Sequence, residues 1–217
     1  MKSKIKLVIV IGESGAGKTT LVNGIISEHP TRTNKVTTST SRSPRNGEKH
    51  KIDYMFTHKE NFKQLIKNNE LVEYALFKGN YYGSAKDAYS KTKLNFIIVE
   101  PSGVDSLIKT GAFEIISIIN IKANHKKTDS RVSTDRKKQI QTRRAANDTS
   151  EEFEKMPRYI LSQLITIENN GEQCETIKSI INHLEPLYQI AHNDELLIKP
   201  ESEQGDENMK QSVELTL

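Results

Sequence analysis

A glycine-rich segment near the N-terminus has the residue types and the spacing that bind phosphate. Residues 12–19 read GESGAGKT and match the pattern G-x-x-x-x-G-K-[ST] at every required position. The glycines allow successive backbone N–H groups to turn inward around a phosphate. Lys18 would reach the β- and γ-phosphates, and the Thr19 hydroxyl would ligate Mg²⁺. A nucleoside triphosphate site is therefore predicted at Gly12, Glu13, Ser14, Gly15, Ala16, Gly17, Lys18, Thr19 and Thr20.

A second segment has side chains suited to a phosphate monoester. Arg42 and Arg45 lie on either side of a proline, and planar guanidinium groups bind phosphate oxygens in pairs. Further on, residues 79–84 form a glycine-bounded turn that presents the two phenols of Tyr81 and Tyr82. A phenol hydroxyl can donate to the same phosphate, and a phenol ring can stack on a base. The sequence thus predicts a second phosphate site, separate from the glycine loop.

The hydrophobic pattern predicts an α/β fold with a parallel sheet. Lys6–Ile11, Asn95–Val99 and Phe113–Ile121 are unbroken apolar runs, which are typical of strands buried on both faces. Residues 36–45 are predicted to be extended and then a loop, and residues 122–135 a mobile loop. The other predicted strands are Tyr54–Phe56, Leu71–Leu76, Gly79–Gly83 and Leu164–Ile167, and the predicted helices are Lys18–Ser27, Glu60–Lys67, Val104–Lys109, Thr134–Asn147, Glu151–Gln163 and Glu175–Leu187. Alternation of strands and helices indicates the α/β class.

Length and composition narrow the class of protein. A chain of 217 residues predicts one domain with insertions. Cys174 is the single cysteine, which excludes an internal disulfide and a multi-cysteine zinc site and favours a reducing compartment. The apolar run that begins at Leu7 is too short for a signal peptide, and no run reaches the roughly 18 apolar residues of a membrane span. We therefore expect a cytoplasmic protein without a membrane partner.

The charge is unevenly distributed. The net charge is +4, and residues 194–217 carry seven acidic and two basic side chains, which leaves +9 on residues 1–193. A basic surplus fits nucleic acid, a pocket for two polyanionic nucleotides, or a solvated face without a partner. The positions of the arginines favour two nucleotides, so no nucleic-acid partner is predicted. The acidic segment from Asp194 is predicted to be a disordered tail.

At these motifs the sequence resembles the guanylate kinase family. The carrying motifs occur in the order and spacing of that family: TTSTSRSPRNGE at 37–48, DYMF at 53–56, LVEYA at 71–75 and GNYYGS at 79–84. The resemblance is strong from Lys6 to about Lys86 and gapped from Asn95 to His183. It implies an α/β P-loop kinase with a parallel sheet core, a small mixed insertion that binds the nucleoside monophosphate (NMP) and a helical lid. The implied domain covers 1–193, with the core at 1–37, 91–123 and 156–193, the NMP-binding region at 38–90, the lid at 124–155 and the tail at 194–217.

The resemblance also implies a role for individual residues. Arg42, Arg45, Tyr54 and Tyr82 are expected to hold the monophosphate, and Thr38, Glu73 and Ser84 to face the guanine. The chemistry agrees independently, because a carboxylate such as that of Glu73 can accept both N1–H and the N2 amino group of guanine. Adenine presents an acceptor at N1, and an unpaired buried polar group is costly.

The sequence departs from the family pattern at three positions. The family carries two aspartates after its second buried strand, where this chain has Ile98 and Glu100. Glu100 is expected to contact the guanine amino group with an altered reach. The glycine loop has Glu13 where the family usually has proline, which places a negative charge near a phosphate site.

The implied reaction is ATP + (d)GMP → ADP + (d)GDP, with Mg²⁺. Arginines of the lid segment are expected to reach the donor phosphates: Arg131, Arg136, Arg143 and Arg144. Lys18, Arg42, Arg131 and Arg143 are the expected catalytic residues, since phosphoryl transfer needs charge neutralisation more than a general base. Two alternatives stay open, a kinase for another phosphorylated small molecule and a non-catalytic phosphopeptide-binding module. A monomer or a homodimer is expected.

Overall fold

The structure is a computed structural model, and it describes residues 4–77, 79–124, 138, 140–141, 153 and 155–196. The strands are β1 Ile5–Gly12, β2 Thr33–Lys35, β3 Ser39–Thr40, β4 Met55–Phe56, β5 Leu71–Phe77, β6 Asn80–Ala85, β7 Leu94–Ile98, β8 Phe113–Lys122 and β9 Leu164–Glu168. The helices are α1 Lys18–Glu28, α2 Lys59–Lys67, α3 Pro101–Lys109, α4 Arg158–Leu161 and α5 Gln173–Leu196. No helix in these ranges has the length and apolar character needed to cross a bilayer.

The core is a parallel sheet in the strand order β2-β7-β1-β8-β9. Strand β1 lies in the middle, and its apolar side chains point to two separate clusters on the two faces. On one face Val8 and Val10 join the cluster that contains residues of α1 and α5. On the other face Leu7 and Ile9 join the cluster that contains residues of α3. The unbroken apolar run of β1 follows from this burial on both sides.

A second, mixed sheet is inserted between β2 and β7. Its order is β4-β3-β6-β5, with β3 and β4 parallel and the other pairs antiparallel. Helix α2 covers it through Phe62, whose ring stacks on that of Tyr81 at 5.3 Å between centroids. The predicted fold class is thereby confirmed for the parallel core and the small mixed insertion. The predicted lid lies almost entirely outside the described residues. Of the few lid residues that are described, Lys138, Ile140, Gln141 and Phe153 are helical.

Two predicted helices differ from those observed. The prediction of one helix over Glu151–Gln163 is wrong, because residues 155–157 are turn, bend and coil, and α4 begins only after Pro157. A residue before proline is biased away from helical dihedrals, which accounts for the break at Met156. The last helix was predicted to end at Leu187, but α5 continues past Pro186 to Leu196. It therefore includes the first three residues of the predicted tail, and residues 197–217 lie outside the described part.

The burial of β1 predicts a large difference between two isoleucine truncations. Ile9→Ala should lower the free energy of unfolding by about 2–5 kcal/mol, because the side chain is fully buried and truncation leaves a cavity. Ile52→Ala is the matched control, since Ile52 is 52% exposed and its truncation should cost less than about 0.5 kcal/mol. Urea unfolding of both variants measures the difference. Equal losses would contradict the placement of β1 at the centre of the core.

Candidate active site

The glycine loop joins the end of β1 to the start of α1, and its path depends on glycine. Gly12 has φ +139°, and a Cβ at this position would lie 2.3 Å from the backbone oxygen of Ile121 in β8. Gly15 and Gly17 also have positive φ, at +83° and +92°. Only glycine adopts such dihedrals without strain. The sequence-predicted loop therefore has the backbone turns that a phosphate cradle requires.

The start of α1 presents its backbone N–H groups at the mouth of this loop. Within the described residues no side chain caps this end, because the N-cap is Gly17, which has no side chain. The first turn of α1 also contains no acidic residue. Free N–H groups at a helix N-terminus favour an anion. Thr19 and Thr20, the last predicted loop residues, are exposed in this first turn.

Lys18 folds back across the loop. Its Nζ donates to the backbone oxygens of Gly12 and Glu13 at 2.6 and 3.0 Å. Burial lowers the pKa of Lys18, and the negative charges of Glu100 and Glu13 oppose that effect. The amine thus lies among the loop carbonyls, where it can turn toward a phosphate.

Asn169, which the sequence analysis missed, supports the loop from behind. Its Nδ2 donates to the Ala16 backbone oxygen at 2.8 Å, and its Oδ1 accepts from the Thr176 hydroxyl at 3.1 Å. The Asn169 backbone N–H donates to the oxygen of Lys122, the last residue of β8, at 2.7 Å. No local motif marks Asn169, because its contact with the loop joins residues 153 positions apart.

The insertion holds Arg42 in a paired position. The Arg42 guanidinium donates to both carboxylate oxygens of Glu48, at 2.7 and 2.9 Å. Burial alone would lower the pKa of Arg42, but its bonds and charge contact with Glu48 raise that pKa overall. Burial would likewise raise the pKa of Glu48, yet the hydrogen bonds from Arg42 and the Arg45 backbone hold it below its ordinary value.

Glu48 was not assigned a role from the sequence, and it makes the two arginines of the predicted phosphate site different from each other. Its carboxylate accepts from the Arg45 backbone N–H at 2.9 Å, and the Arg45 side chain, 43% exposed, lies 4.0 Å away. Arg42 therefore is fixed against Glu48, whereas Arg45 extends into solvent. The signal available in the sequence was an acidic residue three positions after Arg45.

Aromatic rings surround the Arg42 guanidinium. It lies over the rings of Tyr54 and Phe56, at 5.0 and 5.5 Å from their centroids, distances at which cation–π attraction is significant. Tyr54 contacts Tyr82 edge-on at 6.4 Å. Burial raises the pKa of the Tyr54 phenol, so its hydroxyl keeps its proton as a donor at neutral pH. The predicted residues Arg42, Tyr54 and Tyr82 are thus brought together.

The β5–β6 hairpin brings Glu73 and Ser84 together. They are cross-strand partners in the antiparallel register, so their side chains share one face of the sheet. The Ser84 hydroxyl donates to Oε1 of Glu73 at 2.9 Å. Burial raises the pKa of Glu73, and this bond together with a backbone bond from Ser84 opposes the rise. Thr38 is half-buried just before β3, and its backbone oxygen accepts from Met55 at 2.9 Å.

Glu100 is coupled by its charge to both groups of residues. It is exposed at the N-cap of α3, directly after β7, the neighbour of β1. Its charge acts on both Lys18 and Tyr54, which belong to the glycine loop and the insertion respectively. Ile98, by contrast, packs against the apolar cluster beside α1. The four arginines predicted for the lid, Arg131, Arg136, Arg143 and Arg144, lie outside the described residues.

Comparison with known proteins identifies the family. A model of the guanylate kinase family matches residues 4–184. The guanylate kinase of Schizosaccharomyces pombe is 43% identical over 82 residues, which cover 38% of this chain and 41% of that protein. The guanylate kinase of Mycoplasmoides gallisepticum is 36% identical over 123 residues, which cover 54% of this chain and 63% of that protein. The matches thus span about half the length of these curated relatives.

Among solved structures, that of guanylate kinase from Anaplasma phagocytophilum has the same fold. The TM-score is 0.59 at 21% sequence identity, over 86% of this chain and 88% of that one. Both structures have a parallel core sheet and a mixed insertion. The matched family model covers the glycine loop at 12–19, the arginine-containing motif at 37–48 and the motif at 71–75 that contains Glu73. The chain therefore belongs to the guanylate kinase family.

Proposed function

We propose that this protein transfers the γ-phosphoryl group of ATP to GMP or dGMP. The observation that carries the proposal is the presence of two complementary sites, one at the end of a strand of the parallel sheet and one on the mixed sheet inserted into it. An intact glycine loop follows β1, and a half-buried carboxylate, Glu73, lies on the insertion with an arginine-rich anion site. The carboxyl ends of parallel strands are the usual place for such sites. Family membership supports the same reaction.

The base site accounts for a preference for guanine. The N1–H and N2 amino donors of guanine would meet the Glu73 carboxylate, which the Ser84 hydroxyl already orients. Thr38 and Glu100 complete the proposed contacts with the base. An adenine would place its N1 lone pair against the same carboxylate, and such a contact leaves buried polar groups unpaired.

The monophosphate would lie near Arg42, Arg45, Tyr54 and Tyr82. Arg42 is held in place by Glu48, and its Nε is buried without a hydrogen-bond partner among the described residues. A buried donor without a partner is costly, so a phosphate oxygen in this position would be stabilised. Arg45 is the more exposed of the two arginines and has the longer contact with Glu48, so its side chain can reorient toward the phosphate.

ATP would bind residues 12–20, with its phosphates against the loop amides and Lys18. Mg²⁺ suits the oxygen donor available at this point, the exposed Thr19 hydroxyl. When bound, the metal would neutralise charge on the transferred phosphoryl group. Lys18 and Arg42 would hold the donor and acceptor phosphates, and Arg131 and Arg143 are the proposed lid contributions. No general base is needed, because the acceptor phosphate is already anionic.

The alternatives differ in what they require. A phosphopeptide-binding module does not need the glycine loop, which here retains its three positive-φ glycines and Lys18. A kinase for another NMP would use the changes at Ile98 and Glu100, whereas Glu73 and Ser84 favour guanine. We also propose that the protein acts in the cytoplasm as a monomer or homodimer, with nucleotides rather than nucleic acid as its partners.

The first test is ADP release from ATP and Mg²⁺ with GMP, dGMP, AMP, CMP and dTMP in parallel. We expect turnover with GMP or dGMP alone, and Lys18→Met should lower kcat by at least about 100-fold through loss of phosphate stabilisation. Turnover with a different monophosphate would replace the proposed substrate. Folded protein that binds nucleotide and turns over none of the five would instead support the binding module.

Glu73→Gln tests the origin of guanine selectivity. The amide replaces an anionic acceptor with a neutral group that also donates, so kcat/KM for GMP should fall about 10- to 100-fold. The value for AMP should not fall with it. Glu70→Gln is the matched control, because Glu70 is an exposed glutamate directly before the same strand. Parallel losses for GMP and AMP would argue against base recognition by Glu73.

Arg42→Ala tests the monophosphate site. KM for GMP should rise at least about tenfold. The free energy of unfolding should also fall by about 1–3 kcal/mol, since Glu48 loses a bidentate partner. Arg32→Ala is the control, because the Arg32–Glu185 pair spans 3.8 Å with side chains 38% and 40% exposed, and its loss should cost at most about 1 kcal/mol. Steady-state kinetics and urea unfolding measure both effects, and an unchanged KM would exclude Arg42 from the phosphate site.

A further inference from the structure

A third residue continues the contact between Ser84 and Glu73. The Tyr89 hydroxyl donates to the Ser84 Oγ at 2.8 Å, and the Ser84 hydroxyl donates to Glu73 Oε1 at 2.9 Å. Ser84 has no exposed surface, and Tyr89 is 6% exposed. The three side chains therefore form a chain of hydrogen bonds that leads from the protein interior to the base site.

The direction of this chain is set by hydrogen count. A serine hydroxyl has one proton, and a carboxylate only accepts. Because Tyr89 donates its proton to the Ser84 oxygen, the Ser84 proton is left to point at Glu73. Without the phenol, the Ser84 hydroxyl could rotate and accept a hydrogen bond from the nucleobase, or donate one to another acceptor. The phenol thus determines which way the Ser84 hydroxyl points.

Tyr89 is itself held by the core of the parallel sheet. Its ring packs on Phe113 of β8 at 4.8 Å between centroids and belongs to the apolar cluster that includes Leu7 and Ile9 of β1. Burial raises the pKa of the Tyr89 phenol, which keeps its proton at neutral pH. The chain reaches this position through the 3₁₀ turn Lys86–Ala88, directly after β6. One side chain therefore connects the rigid core to the carboxylate on the insertion.

We propose that Tyr89 is a positioning residue for base recognition, acting through Ser84 on Glu73. The inference rests on the proposed function. Tyr89 keeps the Ser84 O–H directed at Oε1 of Glu73, and this hydrogen bond fixes the orientation of the Glu73 carboxylate. The remaining lone pairs of the carboxylate are then available to the N1–H and N2 amino donors of guanine. Tyr89 packs in the apolar cluster and is not one of the proposed phosphate contacts, so it should affect the binding of GMP and its discrimination from AMP without affecting phosphoryl transfer.

The test is Tyr89→Phe, which removes the hydroxyl and retains the ring on Phe113. KM for GMP should rise about 3- to 10-fold, as expected for one buried hydrogen bond, with kcat and KM for ATP within about twofold of the unaltered chain. The preference for GMP over AMP should fall by the same factor. Tyr159→Phe is the matched control, since the Tyr159 hydroxyl donates to a carboxylate of Asp105 but the residue is 45% exposed and lies on α4 rather than on the insertion.

Ser84→Ala provides a second variant that does not alter the tyrosine. If Tyr89 acts through Ser84, adding Tyr89→Phe to Ser84→Ala should change KM for GMP less than twofold further. If the double variant raised KM for GMP by the product of the two single-variant factors, the inference would be overturned. An unchanged KM for GMP in Tyr89→Phe alone would also overturn it. If the unaltered chain neither binds nor phosphorylates GMP, the proposed function itself fails, and the inference fails with it.

Discussion

The backbone contact between Gly12 and Ile121 is the constraint on which the donor site depends. Strand β1 ends where it passes so close to β8 that no side chain fits between them. The chain can then turn sharply into α1 and leave the first N–H groups of that helix facing the loop. Asn169 and Thr176 hold the other side of the loop from the last strand and helix. The position of Lys18 follows from this arrangement rather than from a contact of its own with the core.

The acceptor side is organised by paired charge rather than by close backbone packing. Arg42 is desolvated, and the cost of its burial is offset by the Glu48 carboxylate and by two aromatic rings. Glu73 is desolvated as well, but only hydroxyl and backbone donors compensate its charge. The two groups are therefore in different electrostatic states. The first is neutralised within the protein, while the second retains a capacity for further donors.

The sequence predicted the parts of this structure that depend on local pattern. The β1 strand, the glycine loop and the two strands of the β5–β6 hairpin are each encoded in consecutive residues, so their approximate positions were predicted. Glu48, Tyr89 and Asn169 could not be assigned, because their roles arise from partners that only the fold brings near. The break of the predicted helix at Pro157 shows the opposite case. There a local signal was present, because Pro157 lies inside the predicted helix, and the prediction did not take it into account.

Gly12 also differs from another crowded glycine in how the chain can respond to change. At Gly24 in α1, an added Cβ would lie 2.4 Å from the Cδ1 of Ile177, a side-chain atom. A smaller residue at 177 could restore that space, so the two positions can vary together during evolution. At Gly12 the atom in the way is a carbonyl oxygen that every amino acid carries. Changing the side chain at 121 does not move that oxygen, so the glycine is required whatever residue lies opposite it.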